Sequence, residues 1–439
     1  MNIFQLNKKK SSAKSENHDL GDVVVQARSL PFSERITHVN HFLTGGKGCQ
    51  ELMYFRSVLS GADREVWVKT RDKATVCMLM FGSNNYLGLA NHPHVRQQVK
   101  RMIDQYGVGI GGPPVLNGYS GLMHRLEERL SVLKGCESTL VFTSGYSANV
   151  GLITGLCAAS DTIIADEYSH ASFYDGLKMF KGKRYLFRHN QIDDLEKQLS
   201  LHPAKEGGHV FVGVEGVYSM EGDLAPLAKV KDLCKHYNAT LLLDDAHATG
   251  VLGPCGSGSH AHFNLKADDD IILGTFSKAF AVNGGFITGP REIIQYLRFM
   301  ARSYLFSAAL PPVTIAAVLA AMDVMEKEPE LIERLKANVN YAADKLRVYG
   351  LVSEPQAAIV SLRVPKGKHI RQLAREFDEA GIFINSIEYP AVPKHQERFR
   401  ISLMASHTRE DIDKLADTVE QIWLNASKVT CHEDGHICK

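Results

Sequence analysis

The chain carries no excess of charge of either sign: in 439 residues, 50 Lys and Arg stand against 49 Asp and Glu, a formal net charge of +1. Nothing in that balance calls for a polyanion or an acidic surface, so no nucleic-acid partner is expected. Long apolar runs are also missing. The longest, PPVTIAAVLAAMDVM, is shorter than a bilayer span and contains Asp323, which argues against a transmembrane segment and leaves only peripheral membrane contact open. The start, MNIFQLNKKKSSAKSENHD, has no apolar core behind its charges and does not read as a secretory signal. Eight cysteines without regular spacing exclude a disulfide framework and fit reduced thiols in a cytoplasmic protein. There is no internal repeat, and no low-complexity tract beyond the lysine-rich start.

What is present is enough apolar content, 44% of the residues, for a large core. The expected organisation is an N-terminal extension over 1–50 whose first ~20 residues are a solvated tail, a segment over 51–105, a large domain over 106–310, a smaller α+β domain over 311–425 and a tail over 426–439. Between residues 137 and 289, short β-rich runs (STLVFTSG, DTIIADE, RYLFRHN, HVFVGVEG, TLLLDDAH, DIILGTFSK, GGFITG) alternate with helical stretches. This pattern predicts an α/β domain whose mostly parallel sheet is covered on both sides. Gly107, Gly109 and Gly112 satisfy G-x-G-x-x-G, but a helical segment precedes them and two prolines follow. A dinucleotide fingerprint requires a strand before and a helix after, so this stretch reads as a loop.

Four features carry chemistry. TLLLDDAHATGVLG ends a buried strand in Asp244, Asp245 and His247, at the sheet edge where open α/β folds bind ligands. A carboxylate at that depth needs a partner; a cationic ligand or a structural salt bridge would each supply one to Asp244. Lys278 follows 34 residues later, room for one helix and one strand, among small and apolar neighbours. Desolvation there lowers an amine pKa and suits it to Schiff-base formation. In FTSGYSANVG a strand ends at Thr143 and Ser144 and a helix begins, leaving free N–H groups for a phosphate. His170, in DEYSHASFYDG, lies just past another strand end; alone it reads equally as a structural histidine. Together, a phosphate cradle, a ring stacker, an acid for a ring nitrogen and an aldehyde-capturing lysine describe pyridoxal 5'-phosphate.

From about Tyr54 to Ile422 the chain resembles the α-oxoamine synthases, through FGSNNYLGL, TSGYSAN, DEYSHASFYDG, VEGVYSMEGDLAPL, DDAHATGVLG, GTFSKAF, YLFSAALPP and RFRISLMASHT. The resemblance implies a fold-type-I, aminotransferase-like fold with a mostly parallel seven-stranded sheet between helices and a smaller C-terminal α+β domain. It implies an acyltransferase that uses pyridoxal 5'-phosphate to condense an amino acid with an acyl thioester, with loss of CO2. By the same resemblance Lys278 holds the cofactor covalently, His170 stacks on its ring, Asp244 binds the ring nitrogen and His247 the phenolic oxygen. Ser144, Gly145, Tyr146, Thr275 and Ser277 fall in its phosphate-binding motifs, and Ser219 lies near the ring. Arg400 binds the amino-acid carboxylate, with Asn85 the preferred second contact and Asn84 the less favoured one. Ser307 reaches the phosphate of a partner subunit, which implies an obligate homodimer with shared active sites.

The wording of several motifs is most similar to bacterial serine palmitoyltransferases, which implies L-serine and long-chain acyl-CoA as substrates and 3-ketodihydrosphingosine as product. Pro113-Pro114 stands where many members carry Ser-Arg or Thr-Arg, and Glu388 where some carry arginine. Glycine- or alanine-using members (2-amino-3-ketobutyrate ligase, 8-amino-7-oxononanoate synthase, 5-aminolevulinate synthase), members that draw on acyl-carrier protein, autoinducer synthases and a non-catalytic subunit are the alternatives. The tail holds Cys431, His432, His436 and Cys438 without an element to fix a tetrahedron, so no metal is expected.

Overall fold

The computed structural model describes residues 20–44, 53–70 and 74–433, the side chains of 20 and 426–433 excepted. The solvated tail expected at the start and the Cys/His side chains at the end lie outside the described residues. After two helices, Leu20–Arg28 and Phe32–Thr44, the chain builds an antiparallel ribbon from β1 (Ser57–Val58), β2 (Glu65–Lys69) and β3 (Thr75–Met80). On β2, Val66 and Val68 alternate inward while Glu65, Trp67 and Lys69 face out, the period-2 pattern of a half-buried strand.

The large sheet follows: β4 (Ser138–Phe142), β5 (Thr162–Asp166), β6 (Lys183–Phe187), β7 (Val210–Glu215), β8 (Ala239–Asp244), β9 (Ile271–Thr275) and β10 (Gly285–Gly289). Its order is β4-β10-β9-β8-β7-β5-β6. Only β10 runs antiparallel to its neighbours. Every residue of β5, β7 and β9 is buried, as expected for strands covered by helices on both faces. The seven strands are those the apolar runs predict. Because β5, β7, β8 and β9 are parallel, their last residues, Asp166, Glu215, Asp244 and Thr275, come out on one edge of the sheet.

The smaller region contains β11 (Ile359–Arg363), β12 (Ile382–Phe383), β13 (Asn385–Ile387) and β14 (Arg398–Ser402), with β11, β14 and β13 forming an antiparallel sheet. β12 instead pairs parallel with β3, so residues of the 51–105 segment and the C-terminal region share a sheet. The helix Pro312–Lys327 packs on the helices Pro93–Tyr106 and Gly121–Lys134. It is buried nearly all round, which explains its unbroken apolar sequence. Its core also takes in Phe81, Phe276, Phe399 and Leu415. The loop expected around Gly107–Gly112 is there, and the two prolines lead into one π-type turn at Pro114–Gly118. Cys77, Cys136, Cys157, Cys234 and Cys255 are free thiols. Among the described residues no helix is long and apolar enough to cross a membrane, and no cluster of side chains could hold a metal ion.

Candidate active site

Asp244 ends β8 with both carboxylate oxygens engaged: Oδ2 accepts from Asn149 Nδ2 at 2.7 Å, and Oδ1 from the Ala246 N–H at 3.1 Å. The same Asn149 amide donates to Ser172 Oγ at 2.9 Å, and that oxygen lies 2.7 Å from His170 Nδ1. The Ser172 N–H also donates to Nδ1, at 3.2 Å. A nitrogen that accepts from an amide carries no proton, so the imidazole proton of His170 sits on Nε2. A continuous hydrogen-bonded row, Asp244–Asn149–Ser172–His170, thus sets the orientation of the ring. His170 caps the helix Ala171–Met179 and lines a cavity of about 300 Å³ with Ser219, Tyr174 and Val392. Burial holds its imidazole below the ordinary value, with Lys278 adding to this and Asp244 opposing it.

Lys278 lies three residues beyond the end of β9. Burial lowers its amine to about 8 from an ordinary 10.5, although the Asp244 carboxylate pulls the other way. Among the described residues the amine makes no hydrogen bond or ion pair of bonding length. The structure places Lys278 close enough to Asp244 for the carboxylate's charge to act on the amine. His247 is buried, with Nδ1 2.8 Å from the hydroxyl of Tyr86. Burial, then the charges of Lys278 and Arg400, keep its imidazole well below its ordinary value and therefore neutral.

Arg400, on β14, is 4% exposed, and all its described hydrogen-bond partners are uncharged. Nε donates to the Ser219 carbonyl at 2.6 Å, Nη1 to Asn84 Oδ1 and Ser402 Oγ at 3.0 Å each, and Nη2 to the Tyr86 hydroxyl at 3.3 Å. A buried guanidinium without a carboxylate is costly unless an anion joins it.

The helix Gly145–Leu156 starts against the end of β9. Ser144 and Ser147 close a capping box around its first turn, so the Ser144 hydroxyl is committed to the cap. The amides of Gly145 and Tyr146 have no helical carbonyl behind them and remain free for an anion. Glycine is required here by close approach: a Cβ on Gly285 would lie 2.6 Å from Gly145 Cα, and one on Gly145 would lie 2.9 Å from Thr275 Cβ. The Thr275 hydroxyl bonds the Gly284 carbonyl at 2.9 Å and Ser277 Oγ at 2.8 Å, while Ser277 itself is exposed. The Tyr146 hydroxyl turns away to donate to Asp175. Ser307 lies in a loop beside Thr143.

One expectation is corrected by the structure. Asn85, the preferred carboxylate contact, is spent locally: its amide donates to the Ala62 carbonyl at 3.4 Å and its oxygen accepts from the Ala90 N–H at 3.3 Å. Asn84, not Asn85, is the residue that meets Arg400. Sequence reasoning also missed Asn149, Ser172 and Tyr86. The signal was available for Asn149, which sits four residues after Gly145 on the same helix face.

The model of the aminotransferase class I and II family matches residues 77–419. The chain is 35% identical to a serine palmitoyltransferase of Sphingobacterium spiritivorum over 90% of its own length and 97% of that protein. It is 39% identical to an 8-amino-7-oxononanoate synthase of Thermosipho melanesiensis over 77% of its own length and 87% of the other. The solved serine palmitoyltransferase of Sphingomonas wittichii superposes with a TM-score of 0.83 at 32% identity, covering 91% of this chain and 98% of that one. With the carboxyl-edge site described above, these likenesses place the chain in the aminotransferase class I and II family as a pyridoxal-phosphate-dependent α-oxoamine synthase, an acyltransferase.

Proposed function

We propose that the chain condenses L-serine with a long-chain acyl-CoA, releasing CO2 and yielding 3-ketodihydrosphingosine, and that Lys278, Asp244, His170, His247 and Arg400 carry the roles expected of them, with Asn84 in place of Asn85. The observation that carries the amino-acid half is Arg400, a buried cation beside Lys278 with only neutral partners. Its planar fork suits a carboxylate bidentately, with the Asn84 amide alongside. Serine rather than another amino acid is supported by likeness over nearly the full length of both chains to a serine palmitoyltransferase. A glycine- or alanine-using relative remains the second reading, favoured by the higher identity to an 8-amino-7-oxononanoate synthase.

The residues fit pyridoxal 5'-phosphate. The glycine-lined cradle at Gly145 and Gly285, with two free amides and the Ser277 hydroxyl, suits a phosphate. Asp244 suits a protonated ring nitrogen, the neutral His247–Tyr86 pair a phenolic oxygen, and the His170 ring a stacked face. When bound, the cofactor supplies an aldehyde for the amine and an electron-withdrawing ring. Asp244 keeps the proton on the ring nitrogen. Lys278, whose buried amine gives up its own proton near pH 8, takes the proton from the α-carbon of the amino acid and later returns one. Arg400 holds the carboxylate so that the α-hydrogen points at Lys278, and His170 closes the opposite face. Phe306, 68% exposed, adjoins Ser307 and supports a second subunit covering this edge.

The test is to load the purified protein with cofactor and follow its visible spectrum on adding glycine, L-alanine or L-serine, then to measure thiol release with short and long acyl-CoA. Serine should give the largest shift and long chains the fastest release. Absence of a shift with serine, or turnover of short thioesters alone, would replace the substrate pair.

A further inference from the structure

Glu215 ends β7 directly opposite Asp244 on the neighbouring parallel strand, so the two side chains leave the same face of the sheet. It is 3% exposed, and its Oε1 is buried without a hydrogen-bond partner, whereas both Asp244 oxygens are bonded. The groups around it are Asp244 from β8, Lys278 beyond β9, Asp166 at the end of β5, Tyr174 from the helix Ala171–Met179, Tyr218, and the backbone N–H of His170, which donates to the carboxyl. Two buried carboxyl groups side by side cannot both ionise. The carboxyl with an unpartnered oxygen, Glu215, is the one the geometry favours to hold a proton. In line with this, burial and then Asp244 push the Glu215 carboxyl well above the ordinary range, against a weaker pull from Lys278.

We propose that Glu215 is a positioning residue that works as an uncharged carboxylic acid, leaving Asp244 the single anion on this face and denying Lys278 a second counterion. An anion at Glu215 would bind the ammonium form of Lys278 and remove the free amine the α-proton needs. The inference rests on the reading that Asp244 serves the ring nitrogen, but it is tested on the apo-protein.

Infrared spectra of apo-protein with carboxyl-labelled glutamate should show, at neutral pH, a protonated-carboxyl stretch that moves on labelling and is lost in Glu215→Gln. A wild-type spectrum without that band overturns the proposal and needs no variant to fold. Stability gives an independent sign. A carboxyl whose pKa is higher folded than unfolded stabilises below the unfolded value and loses that contribution as pH rises through the folded one. Glu215→Gln keeps its neutral amide, so its melting temperature should gain on wild type as pH rises from about 4; a gap that closes with rising pH overturns the proposal. The titration midpoint of Lys278 in apo-protein, read from pH-dependent amine modification, should stay within about 0.3 unit in Glu215→Gln, whereas a fall of about one unit marks a lost anion and overturns it. If Asp244→Asn leaves cofactor retention unchanged, the Asp244 reading fails, while the infrared band still decides the state of Glu215.

Discussion

Asp244 and Asp245 are neighbours at one strand end, yet their surroundings could hardly differ more. Asp245 faces Lys134, whose Nζ lies 2.6 Å from Oδ2, with both side chains 1% exposed. The ammonium is completed by Thr249 Oγ1 at 2.7 Å and the Ser257 carbonyl at 2.8 Å, and the carboxylate by the hydroxyl of Ser259 at 2.5 Å. Burial pushes Asp245 up, but the charge and hydrogen bond of Lys134, with Ser259, leave it below its ordinary value. Among the described residues Asp244 has donors but no cation at bonding distance, and Lys278 has no acceptor at bonding distance. One acid–lysine pair is closed and structural; the other is held open. A pair that is already satisfied has nothing left to offer a ligand, so the open one is where chemistry is possible.

Substitutions at the two lysines should break this contrast in opposite currencies. Lys278→Ala should lower turnover by about a thousandfold or more and abolish covalent cofactor attachment, with little change in melting temperature. An equal loss of stability would place Lys278 among structural residues. In wild-type apo-protein, the rate of cofactor capture should rise about tenfold per pH unit, since the free amine is the reacting form, and level off above about pH 8. Lys134→Met should instead leave Asp245 as an uncompensated buried charge and cost about 3–5 kcal/mol in chemical denaturation. The cofactor spectrum of whatever protein stays folded should be unaltered.

The contrast also shows what could be read in advance. The strands of the large sheet were legible because their apolar runs are bounded by turn residues, and the Asp244–Lys278 spacing allowed only one helix and one strand between them. The closed pair was not legible. Lys134 stands 111 residues from Asp245, at the end of a helix where a lysine ordinarily complements the helix dipole in solvent, and only the tertiary fold turns it inward. The β3–β12 pairing was hidden for a similar reason: two residues of strand, Ile382–Phe383, are too short for any periodicity. Glu215 lay inside a motif read for its serine, and its register with Asp244 exists only once β7 and β8 are paired.

A smaller effect is expected at Arg400. Arg400→Lys keeps the charge but loses the fork and its bonds to Asn84, Ser402 and Tyr86. The KM for the amino acid should rise about 10–100-fold. A drop in kcat at unchanged KM would instead assign Arg400 to the transition state alone.

The smallest and most discriminating comparison lies between Asn84 and Asn85, adjacent as the two aspartates are. Asn84→Ala removes one of the two acceptors of Arg400 Nη1 and a candidate substrate contact, so the KM for the amino acid should rise severalfold with stability nearly unchanged. Asn85→Ala removes bonds to the backbone at Ala62 and Ala90 and should cost about 1 kcal/mol of stability, the ordinary scale of such bonds, with KM close to wild type. Measuring KM and the denaturation midpoint for both variants separates the two roles. The reverse outcome, KM following Asn85, would mean that substrate or a second subunit turns this segment over, and it would return the carboxylate contact to the position the sequence favours.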